Sequence, residues 1–311
     1  MEILEVPLEH GYQAGGRKVD ANWHVLARVR TADGIEGIGY VVKQRGDLVR
    51  AIAQAASELG EHLIGCSVLE PEAAWRKLAK LSDWVGPGGL QHWALAPLDI
   101  ALWDAAGKAQ SQPLWQLLGG YRDSLPAYAS DRLWYSLGLT ELAESAAAHA
   151  KAGHTAIKLR LGASPDREMQ AGRVRAAQQG AGPGVDVMVD GTQSWDYPTA
   201  ALLGPALEEA GITWLEDPLY HDDVEGLAAL AARLDVPVTG GENLYTLTQF
   251  RRTFEARALD IAILDLFRVG GITPWRKIAA LADSYRLPIC AHVVPEVHVH
   301  LLAAVPNGHK V

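Results

Sequence analysis

Three carboxylates stand at one pitch in this chain. Asp190, Glu216 and Glu242 lie 26 residues apart, and each closes a short apolar run: Val187-Met188-Val189, Trp214-Leu215, and Val238-Thr239 with two glycines after it. Runs of this kind read as buried strands, and one strand–helix unit of a barrel takes on the order of 25 residues. Equal spacing therefore sets the three acids at one height, on the C-terminal ends of successive parallel strands, where such barrels carry their chemistry. A single acid after a strand is an ordinary helix N-cap. Three in register are converging negative oxygens that repel unless a hard cation stands between them, and an all-oxygen ligand set suits Mg²⁺.

Two more strand ends add ionisable groups. Asp265 follows Ile261-Ala262-Ile263-Leu264, 23 residues after Glu242, and His292 follows Pro288-Ile289-Cys290-Ala291, 27 residues further on. A carboxylate on one strand beside a histidine on the next orients the imidazole and raises its basicity, which a general base requires. Lys158 and Arg160 alternate along Ile157 to Leu161, so a two-residue period points both into the barrel. Two interior cations need anions, either the acidic ladder through structural ion bridges or a bound anionic substrate.

The elements that must position these groups fall into two textures. Trp23 to Arg30 and Gly34 to Val42 read as strands around an Asp33-Gly34 turn, with a glycine-rich mobile loop expected over His10 to Lys18. Helical patterns follow over Asp47 to His62, Pro71 to Leu81 and Leu95 to Gln110. A short apolar turn at Leu114 to Leu118 then stops at Gly119-Gly120. From Pro126 short apolar runs alternate with helical stretches: Ala127–Ala129, Ala156–Leu161, Val185–Val189, Ile212–Leu215, Val236–Thr239, Ile261–Leu264 and Leu287–Ala291. Such alternation implies parallel βαβ units. The expected fold is α/β: an α+β capping domain over residues 1–120 and a modified (β/α)7β TIM barrel over 121–311.

Composition removes other classes. Of 311 residues 49% are hydrophobic and 21% charged, a globular balance. A net charge of −9 opposes binding to nucleic acid or an anionic membrane, and no run reaches the ~18 apolar residues of a span. The N-terminus has no signal-peptide pattern, so a cytoplasmic location is expected. Cys66 and Cys290 lie far apart and suggest neither a disulfide framework nor a zinc site. No Gly-x-Gly-x-x-Gly follows a strand and no P-loop occurs.

These motifs together resemble the enolase superfamily, in its mandelate racemase / muconate lactonizing enzyme branch with an Asp-His dyad. The resemblance rests on Ala96-Pro97-Leu98-Asp99 through Lys108, Leu117-Leu118-Gly119-Gly120, Val189-Asp190-Gly191-Thr192-Gln193-Ser194, Trp214 to Pro218, Gly240-Gly241-Glu242-Asn243 and Ala291 to Glu296. It implies that Asp190, Glu216 and Glu242 bind Mg²⁺, that Asp265 and His292 form the base dyad, and that Lys158 neutralises a substrate carboxylate. It further implies abstraction of the proton α to that carboxylate through an enediolate.

The chain departs from the family pattern at three places. Arg160 stands where many relatives carry a second lysine, and arginine is a poor base but a good anion clamp. Thr192 stands where Asn or His is usual, at a position expected to touch substrate. Only His309-Lys310-Val311 remain for the eighth strand, so an unclosed barrel is expected, with further chain beyond Val311 bearing an acid.

The expected activity is one-base dehydration of a sugar acid to a 2-keto-3-deoxy acid. A racemase, epimerase or cycloisomerase, and an inactive or ligand-binding barrel, are the alternatives. The expected partners are a small carboxylate substrate and further copies of the chain. Specificity is expected in His10–Lys18 and Trp84–Gln91.

Overall fold

The computed structural model describes residues 1–14 and 17–311. Three antiparallel strands open the chain: β1 (Glu2–Ala14), β2 (Arg17–Arg30) and β3 (Glu36–Lys43), in that order across the sheet. The expected loop over His10 to Lys18 is corrected on both flanks, where Tyr12 pairs with Val19 and the strands run on to Ala14 and from Arg17; Gly15 and Gly16 lie outside the described residues. Four helices follow: α1 (Val49–Glu61), α2 (Pro71–Leu81), α3 (Leu90–Ala109) and α4 (Leu114–Leu117). β3 lies on α3 through its glycines. A Cβ on Gly37 or Gly39 would stand 2.1 Å from the Ala101 or Pro97 carbonyl, so only glycine lets the strand approach. α3 is buried on nearly every side, which removes the helical period from its sequence and hides its start at Leu90, five residues before the expected one.

The remainder alternates strand and helix. α5 (Leu139–Lys151) leads to β4 (Ala156–Arg160), α6 (Arg167–Ala181) to β5 (Asp186–Asp190), and α7 (Tyr197–Glu209) to β6 (Leu215–Glu216). α8 (Val224–Ala231), β7 (Val238–Gly240), α9 (Leu247–Glu255), β8 (Ile261–Asp265) and α10 (Ile272–Ser284) come next. β9 (Ile289–His292), α11 (Pro295–Ala303) and β10 (Gly308–Lys310) end the chain. The seven strands β4 to β10 form one parallel sheet in sequence order. Its register pairs Arg160 with Asp190, Asp190 with Glu216, and Asp265 with His292.

The expectation of an unclosed barrel is corrected. Pro126 to Ala129 lies between the two ends of this sheet: Tyr128 N donates to the Val311 carbonyl and Val311 N to the Pro126 carbonyl, each at 3.0 Å. On its other side Ala129 N donates to Ala156 O at 3.0 Å and Lys158 N to Ala129 O at 2.8 Å. Three residues suffice for a strand to exchange bonds with both neighbours, so Gly308–Lys310 takes the eighth place. It carries no acidic side chain. Among the described residues no helix is long and apolar enough to cross a membrane.

Cap and barrel meet at the loop after β8. Trp75 Nε1 of α2 donates to Gly270 O at 2.8 Å, and His92 Nδ1 of α3 bonds Arg268 O at 2.9 Å. Asp99 of α3 accepts from Thr273 N at 2.8 Å and from Thr273 Oγ1 at 2.6 Å, and Trp103 Nε1 donates to the same hydroxyl at 2.9 Å. Burial raises the Asp99 carboxyl from 3.8 to about 7, against the hydrogen bonds from Thr273. A carboxyl raised on folding stabilises fully below its unfolded value and loses that contribution as pH rises through the folded one. The melting temperature of the wild type should therefore fall between about pH 4 and 7 relative to that of Asp99→Asn. Parallel pH profiles in thermal melts would refute the buried-acid account of this seam.

Candidate active site

The C-terminal ends of the strands and the inner face of the cap enclose a cleft of about 1160 Å³. Lys158, Arg160, Asp190, Thr192, Glu242, Asp265 and His292 line it, and Glu216 lies directly behind Lys158. All eight residues singled out from the sequence are thus brought to one end of the barrel. From the cap come Tyr12, Asn22, His24, Tyr40 and the run Val42 to Arg45. The expected contribution of Trp84–Gln91 is corrected: none of those residues lines the cleft, because the turn there packs Gly88 on Tyr245 while Trp84 stands 96% exposed.

Electrostatics dominate the floor. Asp190, Glu216 and Asp217 are all raised, primarily by burial and then by one another and Glu242; Glu216 rises to about 7. Asp217 follows Glu216 in a left-handed turn, φ 40°, and its Oδ2 accepts from Gln193 Nε2 at 3.0 Å and Asn243 Nδ2 at 3.2 Å. The cations answer them. Lys158 Nζ donates to Glu216 Oε1 at 2.5 Å with both side chains almost wholly buried, and Arg160 Nε stands 3.7 Å from Asp190 Oδ2. Burial disfavours the Lys158 charge, but Glu216, ahead of Asp190, overcomes this and holds the ammonium well above its ordinary range. The structural ion bridges weighed for these two cations are therefore present, and both side chains still face the cleft. Arg160 also lies over the Trp134 ring at 4.1 Å, and Tyr12 of the cap stacks on Trp134 at 4.7 Å.

Opposite these cations lies the dyad. His292 Nδ1 bonds Asp265 Oδ2 at 2.6 Å, leaving Nε2 3.3 Å from Glu242 Oε2. Burial lowers the imidazole, but Glu242 and Asp265 more than offset it, so the net shift is upward. Asp265 is held down at about 2 in spite of burial, by His292 and by Arg268, whose Nη1 donates to the same Oδ2 at 2.8 Å. Its other oxygen accepts the backbone N–H groups of Phe267 and Arg268, both at 2.8 Å. The carboxylate is thereby fixed as an acceptor that holds the Nδ1 side of the ring and turns Nε2 toward Glu242 and the cleft. Val293 and Val294 follow at φ 52° and 41°, a left-handed turn that branched side chains rarely adopt and that starts α11 at Pro295.

The donor chemistry fits a hard divalent cation. Glu216 Oε2 is buried with no hydrogen-bond partner, an orphaned anionic oxygen beside Asp190 and Glu242 in a set made only of carboxylates. Among the described residues, however, no three acidic, histidine or cysteine side chains are already gathered as a coordination cluster. Each acid leans instead on a protein partner: Asp190 on Arg160 and the Thr192 N–H at 2.7 Å, Glu216 on Lys158, Glu242 on His292. Thr192 otherwise bonds Ser194 through its hydroxyl at 2.8 Å.

Sequence reasoning missed Arg268, Gln193, Asn243, Lys43, and the Tyr40–Glu296 hydrogen bond that joins β3 to α11 across the cleft. Arg268 had a usable signal, an arginine three residues past a strand-end acid on a tight turn. Gln193, Asn243 and Glu296 lie within the motifs quoted for the resemblance but had no role assigned, and Lys43 and Tyr40 lie on the cap and carry no spacing.

Comparison with known proteins agrees with this architecture. Residues 5–119 match the Mandelate racemase / muconate lactonizing enzyme N-terminal domain, and residues 141–311 the Enolase C-terminal domain-like family. L-talarate/galactarate dehydratase of Salmonella typhimurium is 34% identical over 91% of this chain and 70% of its own length. 3,6-Anhydro-alpha-L-galactonate cycloisomerase of Streptomyces coelicolor is 31% identical over 91% of this chain and 78% of its own. The crystal structure of L-talarate dehydratase from Polaromonas sp. JS666, complexed with Mg and L-glucarate, superposes with a TM-score of 0.91 at 34% identity, covering 99% of this chain and 83% of that one.

Removing Lys158 would leave the Glu216 carboxylate buried and uncompensated. Lys158→Met should cost about 3–5 kcal/mol of unfolding free energy in urea, and the Lys158→Met/Glu216→Gln double variant should recover most of it. Additive losses in that cycle would deny the coupling.

Proposed function

This chain belongs to the mandelate racemase / muconate lactonizing enzyme family of the enolase superfamily, and we propose that it is a Mg²⁺-dependent dehydratase of a sugar acid. The observation that carries this reading is the asymmetry of the cleft. One wall holds an imidazole oriented by Asp265, while the other holds cations that keep their protons, Arg160 by its nature and Lys158 by its pairing with Glu216. That arrangement supplies one base. Racemisation needs a base on each face of the substrate, which disfavours the racemase and epimerase alternatives. The names of two of the relatives above, both dehydratases, support the same conclusion, and the cycloisomerase keeps a one-base isomerisation as the second reading.

Asp190, Glu216 and Glu242 would hold the magnesium ion, which supplies, when bound, positive charge against the negative charge that develops on the substrate carboxylate. The chain's own residues do the rest. Lys158 and Arg160 face the cleft as cations and would clamp that carboxylate, Arg160 with its plane fixed by the Trp134 ring. Thr192, on the rim beside Asp190, would touch the substrate hydroxyls. His292 Nε2 takes the α-proton as the C–H bond breaks and the enediolate forms, and Asp265 stabilises the imidazolium. The electron pair then expels the β-hydroxyl, which leaves as water with the proton that Nε2 returns. The enol so formed tautomerises to the 2-keto-3-deoxy acid.

Two measurements test this. With His292→Asn, wash-in of deuterium at the α-carbon from D₂O should stop, while added Mg²⁺ still raises the melting temperature; exchange that persists would point to a second base, with Lys158 the candidate. With Glu216→Gln, both activity and the Mg²⁺-dependent rise in melting temperature should vanish. A full Mg²⁺ shift in that variant would sink the three-carboxylate site.

A further inference from the structure

Five lysine and arginine side chains line the cleft, and four of them have a carboxylate within 4 Å. Lys158 has Glu216, Arg160 has Asp190, Arg268 has Asp265, and Arg45 has Asp47 at 3.8 Å. Lys43 is the exception among the described residues. It ends β3 on the cap wall, half-buried, its ammonium 5.3 Å from the centre of the Trp93 ring, with no hydrogen bond and no ion pair to any acid. Burial and then Arg45 disfavour this charge, Asp47 offsets part of that and Arg268 adds to it, so the net shift is downward and the protein's own residues leave the cation incompletely neutralised. An aromatic face positions an ammonium but leaves its three donors free. Nearby on the same wall His24 Nδ1 is buried without a partner, and Asn22 faces the cleft.

We infer that Lys43 anchors a second carboxylate at the far end of the substrate, so that the substrate class is a dicarboxylic sugar acid rather than an aldonic acid. This rests on the dehydratase reading and narrows it. The barrel wall already has Lys158 and Arg160 for the reacting carboxylate, and one acid group cannot engage both walls of a cleft of about 1160 Å³. A lone ammonium matches a singly charged group; a phosphate would call for several donors or a guanidinium fork. The polar rim between the walls, including Thr192 and Gln193, suits a hydroxylated chain joining two acids.

Galactarate and galactonate make the test, since they differ only in whether C6 is a carboxylate or an alcohol. Calorimetric titration of the His292→Asn protein with Mg²⁺ present measures binding without turnover. Galactarate should bind at least tenfold tighter than galactonate; adding Lys43→Gln should erase that preference, and Lys43→Arg should keep most of it. Wild-type kcat/KM should show the same preference and needs no variant to fold. Equal affinities, a preference for galactonate, or a preference that survives Lys43→Gln would each overturn the inference. The dehydratase reading stands or falls separately, on formation of a 2-keto acid by the wild type from either acid.

Discussion

Everything at the mouth of this barrel follows from one electrostatic constraint: three buried acids, Asp190, Glu216 and Asp217, and the partly buried Glu242 lie within range of one another. Unscreened carboxylates at such proximity cost several kcal/mol each unless they are paired, protonated or bound to a cation. The chain answers with Lys158 and Arg160 from the neighbouring strand, with side-chain amides on Asp217, and with an oxygen of Glu216 left bare. The register of β4, β5 and β6 is what makes the answer possible, because it sets Arg160 beside Asp190 and Asp190 beside Glu216 at one level. A slip of one residue would turn every one of these groups to the opposite face of the sheet.

The second layer of organisation is the loop from Asp265 to Gly271, where the catalytic end of the barrel and the cap share atoms. Asp265 holds the imidazole, Arg268 and two backbone N–H groups hold Asp265, and Trp75 and His92 of the cap hold the carbonyls of Gly270 and Arg268. The cap therefore covers the cleft and also fixes the His292 imidazole through three successive contacts. Arg268 competes with His292 for the same carboxylate oxygen, which keeps that oxygen ionised and prevents the proton on Nδ1 from moving across.

Much of this was legible in the sequence because barrel chemistry is periodic. The 26-residue spacing encodes the common level of Asp190 and Glu216, while Glu242 stands past the end of β7, three residues beyond Thr239, the register partner of Glu216; alternation on β4 encodes the direction of Lys158 and Arg160. What escaped was aperiodic or short. α8, Val224–Ala231, is short and apolar on most sides, and α11 begins behind two left-handed valines, so neither shows an amphipathic stripe. α9 has a clear stripe, but at nine residues it was too short to stand out between two strands. The eighth strand was discounted because only His309-Lys310-Val311 remained for it, yet a parallel strand flanked on both sides needs only a few residues of backbone. Lys43 and Tyr40 belong to the cap, whose distance from the barrel in sequence hides their proximity to it in space.

Closure through Tyr128 and Val311 has a kinetic corollary. The cap is built from contacts between near neighbours in sequence, β1 with β2 and β2 with β3, whereas the barrel is sealed by hydrogen bonds between segments at opposite ends of the catalytic half. Bringing such remote segments together costs chain entropy before any bond rewards it. During synthesis on a ribosome the cap can assemble while the barrel's final strand is still inside the exit tunnel. Until that strand emerges, the edges of Pro126–Ala129 and β9 stay open to pairing with other chains, so the arrival of Gly308–Val311 governs how long the nascent barrel depends on chaperones.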